Sequence, residues 1–140
     1  MLSNDLRIID SFENQFATYF ISDENILYCE YKKGITIDLD AAKEIVSDRL
    51  IFQKGESHFS IVDVSKIKHI TAQAKKYFET HGYQGLHSAA LLVYRNRFMR
   101  IISTAFMALI KTPTPIKIIE SKEQGKEWIL KLMNKEKALN

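Results

Sequence analysis

Between residues 16 and 129 the chain switches repeatedly between two hydrophobic periods, and this alternation constrains its fold more than any other feature. Residues 16–22 (FATYFIS) and 26–31 (ILYCEY) are aromatic and β-branched and predict two strands. The turn residues Asp23, Glu24 and Asn25 join them as a β-hairpin. Helical and extended patterns then take turns. Leu39, Ala42, Ile45, Val46 and Leu50 recur at helical spacing. Asp38 is placed to cap that helix, Asp40 suits its positive end, and Lys54-Gly55 stops it. Residues 59–64 (FSIVDV) predict a third strand. Thr71 opens a second helix with Ala74, Tyr77 and Phe78 on one face, and His81-Gly82 closes it. Residues 88–94 (SAALLVY) are almost continuously apolar, as suits a strand covered on both faces. Asn96 caps a third helix reaching about Ile110, which Pro113 and Pro115 terminate. Residues 116–119 form the last predicted strand. Ser121 and Gln124 then match a capping box, and Trp128, Ile129, Leu132 and Met133 form the final helix's apolar stripe.

The predicted order is ββαβαβαβα, an open, mostly parallel five-stranded α/β sheet with helices packed on it. A length of 140 residues fits one domain. Residues 16–134 are assigned to it, and residues 135–140 to a Lys-containing tail. In residues 1–15, Leu2, Leu6, Ile9 and Phe12, with Phe16 beyond, fit either a short helix or an arm packed elsewhere. Apolar content of 46% and charged content of 26% exclude a disordered or collagen-like chain. A net charge of +3 does not argue for nucleic acid as a partner. The apolar run 105–110 is six residues long, against the roughly 18 needed to span a bilayer. Residues 1–15 lack a signal peptide's apolar segment. Cys29 is the only cysteine, so an internal disulfide is impossible and a cytoplasmic location is expected.

Motifs for catalysis or cofactor binding are missing from the text of the chain. His58, His69, His81 and His87 are separated by 11, 12 and 6 residues, with no metal-ligand spacing among them. The five glycines build no phosphate loop, and there is no G-x-S-x-G elbow. Cys29, inside a strand, reads as a small inert hydrophobe. No catalytic residue, metal or cofactor is therefore expected.

Position in the fold supplies the candidates. Ligands of open α/β sheets sit beyond the carboxyl ends of the strands. Asp63, Ser65 and Thr71 lie there after the third strand, and Arg95 and Arg97 after the fourth. They define a candidate switch or anion crevice. The alternatives are that Asp63 ties down its own loop and that the arginines pair with neighbouring acids. The helix from Asn96 is unusual: its apolar residues cover roughly 200° of arc, whereas a sheet-packed helix needs a stripe little wider than about 100°. Phe98, Met99, Ile102, Phe106 and Ile110 form a candidate partner or dimer face. Deeper burial under residues 1–15 or the last helix is the competing account.

The order of elements, with a long apolar helix before the last strand, resembles the STAS fold of sulfate-transporter tails and anti-sigma-factor antagonists. The nearer resemblance is to small SpoIIAA-like proteins of bacteria. It rests on ILYCEYKKGITIDLDAAKEIVSDRL, FSIVDVSKIKHITAQAKKYF and SAALLVYRNRFMRIISTAFMALIKTPTPIKIIESKEQGKEWI, and spans residues 16–129. The family's switch is a serine that opens the helix after the third strand and changes partner affinity when phosphorylated. Here Thr71-Ala72-Gln73 occupies that place, so the usual phosphoacceptor serine is absent. The resemblance implies a non-enzymatic regulatory or scaffold module that binds a protein, including a second copy of itself. The alternative is a carrier of a small amphipathic or lipid-like anionic ligand, its head held by Arg95 or Arg97.

Overall fold

The computed structural model describes residues 6–93 and 114–139. Strands β1 (Ile8–Glu13), β2 (Ala17–Ser22) and β3 (Ile26–Tyr31) form an antiparallel meander. A short β4 (Thr36–Ile37) leads into helix α1 (Leu39–Gln53), then β5 (His58–Asp63). A short β6 (His69–Ile70) precedes α2 (Ala72–His81) and β7 (Leu86–Leu92). Beyond residue 113 come β8 (Ile116–Ile119) and helix α3 (Lys122–Leu139). The main sheet has the order β1-β2-β3-β5-β7-β8, and β3, β5, β7 and β8 run parallel. β4 and β6 pair separately as a two-stranded parallel ribbon.

The expected caps are present. The Asp38 carboxylate accepts the Ala41 N–H at 2.9 Å, and the Thr71 hydroxyl accepts that of Ala74 at 3.1 Å. The Ser121 hydroxyl accepts the Gln124 N–H at 3.1 Å, while the Gln124 side chain reaches back to the Glu120 N–H at 3.0 Å. At the end of α1 the left-handed residue is Lys54, with φ 54°, followed by Gly55 at φ 80°. Together they turn the chain sharply toward β5.

The sheet has six strands, where five were expected. Residues 8–13 are extended and pair with β2, so the short-helix alternative is not adopted there. The helical spacing of Ile9 and Phe12 gave way to pairing, because β2 would otherwise leave a row of backbone groups without partners. Phe12 also stacks on Tyr19 and Phe52, with ring centroids 6.1 and 6.3 Å apart. At the other end, α3 continues through residues 135–139, which had been read as a tail. The β4–β6 ribbon was not anticipated, since two-residue strands carry no readable period.

Strand register sorts the side chains onto two faces. Tyr19, Cys29, Val62, Leu91 and Ile118 are successive cross-strand partners, so they share one face. That face carries α1 and α2, whose Ala42, Ile45 and Ala74 belong to its core. Phe20, Tyr28, Ile61 and Ala90 share the opposite face, covered by Ile129, Trp128 and Met133 of α3. Phe20 and Tyr28 stack there with centroids 4.9 Å apart. Both faces of the parallel strands are thus roofed, which explains the nearly continuous apolar run of β7.

Gly125 brings α3 down onto the sheet. A methyl group there would collide with Cδ1 of Ile119 and meet Ala90 Cβ and Ile61 Cδ1 at 3.5 Å. Ile119 is fully buried, so its side chain would have to shift within the core. Gly125→Ala is expected to destabilise the protein by about 1 kcal/mol in urea unfolding, because overpacking outweighs the gain in helix propensity.

Candidate functional site

At the carboxyl end of β5, Asp63 is buried and its Oδ1 accepts the backbone N–H of Ser65 at 2.9 Å and the Ser65 hydroxyl. Asp63 therefore ties down the loop that follows it. The Thr71 hydroxyl is engaged at the first turn of α2. The three crevice candidates lie near one end of the sheet, but the hydrogen bonds of Asp63 and Thr71 serve local turns and caps. Arg95, Arg97, Phe98, Met99, Ile102, Phe106 and Ile110 lie outside the described residues.

Among the described residues, no group of three His, Cys, Asp or Glu side chains is arranged to hold a metal ion. The His81 ring packs at a tilt against Tyr77, and that of His87 against Phe59. Burial pushes the Cys29 thiol up to about 12, with Arg49 pulling in the opposite direction, so the sulfur stays protonated near neutral pH.

An apolar concavity lies elsewhere. A cavity of about 350 Å³ opens on the sheet face beneath α1 and α2. Its floor is Val62, Ala89 and Leu91, and its walls include Ile45 and Val46 of α1 and Phe78 of α2. The volume and apolar lining match sites that hold small organic molecules. Among the described residues its polar side chains are few: Tyr19, Tyr31, Arg49, Lys75 and Tyr83, with the Cys29 thiol. Burial raises the Tyr19 and Tyr31 hydroxyls far above the ordinary phenol value, so both are neutral donors. Tyr19 donates to the Ile45 carbonyl at 3.4 Å and accepts from Asn14 at 3.3 Å.

Arg49 is the outstanding residue of this lining. It is only 4% exposed. Its Nη1 donates to Gln53 Oε1 and to the Gln84 carbonyl, both at 2.7 Å, and Nη2 donates to the Gly82 carbonyl at 2.9 Å. Gln53 extends the network to the Gly85 carbonyl and to Nδ1 of His58, each at 2.8 Å. The chain after α2 is thereby anchored to the last turns of α1. The sequence reading missed both residues. The available signal was polar side chains continuing an apolar helical series, since Ala42, Val46, Arg49 and Gln53 follow at three- and four-residue steps.

The fold places the chain among SpoIIAA-like α/β domains. A crystallised protein of the DUF3478 family from Shewanella loihica PV-4, itself uncharacterised and described as having a SpoIIAA-like fold, matches with a TM-score of 0.53. The match covers 91% of this chain and 98% of that one at 16% identity, a likeness of fold alone. The chain belongs to the family described as Domain of unknown function (DUF7793), which matches residues 19–133. No curated protein matches it.

His58 gives this network a pH dependence. Burial lowers its pKa from 6.5, with Glu56 opposing and His87 and Arg49 assisting to smaller degrees. As pH falls below 6.5, the unfolded chain takes up the proton before the folded one, so stability falls. This contribution is complete above 6.5 and is lost as pH drops through the folded value. The urea midpoint should fall between about pH 7 and pH 5, and His58→Leu should flatten that slope. An unchanged slope in the variant would assign the effect to other groups.

Proposed function

We propose that this chain is a non-enzymatic binding module of the SpoIIAA-like class that takes a small amphipathic, lipid-like molecule into the cavity beneath α1 and α2. The observation that carries this reading is the cavity itself, about 350 Å³ bounded mainly by aliphatic and aromatic side chains. The local roles of Asp63 and Thr71 add support, because the hydrogen bonds of each serve its own turn or helix cap. A cytoplasmic location goes with this reading, supported by a single buried thiol and no disulfide.

A regulatory or scaffold role with a protein partner is the second reading, and β1 favours it. That strand forms one edge of the sheet and exposes Ile8, Ile9 and Phe12, with Ile9 63% accessible. Open edges with apolar side chains pair readily with another strand, including that of a second copy.

Binding of the neutral dye Nile red tests the first reading. The full chain should bind the dye saturably at one site with a blue-shifted emission. Ala89→Phe, which fills the cavity floor, should weaken binding at least tenfold while near-native circular dichroism is kept. Absence of saturable binding to the folded wild-type protein would refute the cavity reading. For the second reading, Ile9→Lys should abolish any self-association that wild type displays in sedimentation. A wild type that stays monomeric at high concentration removes the second copy as partner.

A further inference from the structure

The geometry points to Arg49 as the anchor for a carboxylate head group, making the preferred ligand of this cavity a single-chain amphipath with one planar anionic end. The inference rests on the cavity-binding reading above and specifies what that cavity selects.

A guanidinium carries five N–H donors. Three are used by Gln53, Gln84 and Gly82, all neutral acceptors. Nε–H and one Nη2 proton have no protein acceptor among the described residues. Nε and Nη2 form one edge of the planar group, the edge that meets both oxygens of a carboxylate side-on.

Charge reinforces the geometry. No Asp or Glu forms an ion pair with Arg49 among the described residues. Neither acid type occurs among the described cavity-lining residues, whereas Arg49 does. Tyr19, Tyr31 and Cys29 face the same cavity and remain uncharged, so none of them supplies the counter-charge. Buried cations are ordinarily paired with an anion, because neutral carbonyls replace only part of their lost hydration. An anion entering the cavity would complete the set, with its tail along Val62, Ala89 and Leu91.

Displacement of Nile red from the intact protein by decanoate, 1-decanol and decyltrimethylammonium tests this. Decanoate should bind at least tenfold more tightly than 1-decanol, and the cation should bind most weakly. In Arg49→Gln, the advantage of decanoate over 1-decanol should disappear. Equal binding of decanoate and 1-decanol to wild type would overturn the anion inference and leave the apolar cavity reading standing. Failure of all three to displace the dye would remove both. A folded Arg49→Gln that keeps the preference would exclude Arg49 as anchor. If that variant does not fold, the wild-type series decides by itself. Decyl phosphate is the remaining arm: binding tighter than that of decanoate would overturn the carboxylate assignment in favour of a phosphate head.

Discussion

Parallel pairing of β3, β5, β7 and β8 is the constraint on which the rest of the structure depends. Each parallel step requires the chain to return to the starting end of the strands, and α1 and α2 make that return across one face for the steps β3–β5 and β5–β7. With both on the same side, the opposite face is left to α3. Strand register then assigns every side chain to one layer or the other. Shifting β5 by one residue would exchange Val62 with Ile61 and turn buried groups outward on both faces. The cavity is a product of this arrangement. Two helices resting on a sheet leave space between their axes, and small Ala89 on the floor leaves that space open.

Polar chemistry inside the fold is concentrated where α1 ends. Arg49, Gln53 and His58 link α1, the segment 82–85 and the start of β5 through backbone carbonyls and the His58 ring nitrogen. Such groups have a high desolvation cost, so they persist in a core only when hydrogen bonds are made. This network satisfies carbonyls at Gly82, Gln84 and Gly85. It also sets a positive charge against an apolar cavity. One arginine thus connects the packing of the fold with the chemistry of the apolar recess beneath α1 and α2.

Much of the architecture was readable in the sequence. The hairpin at Asp23–Asn25, the caps at Asp38, Thr71 and Ser121, and the strands on either side of α1 and α2 all depend on local backbone chemistry or on a period repeated over several residues. The likeness to SpoIIAA-like domains followed from the same order of elements. β1 escaped because its residues suit a helical spacing as well as an extended one, and only the free edge of β2 decides between them. β4 and β6 are too short to show a period. Asp63 holds its own turn by accepting the Ser65 N–H.

The candidate site was hardly legible, for a different reason. Attention fell on charged residues beyond the strand ends, at Arg95 and Arg97, because position along a sheet is what periodicity can locate. Arg49 was not among the candidates. Its burial depends on the approach of residues 82–85, more than 30 positions later in the chain. The sequence by itself determined the alternation of strands and helices, their caps and the two-faced burial of the sheet, since these follow from steric and hydrophobic preferences among near neighbours. Tertiary structure alone decided which polar side chain is sealed inside and where space is left unfilled. Those outcomes depend on distances between segments that no local pattern encodes.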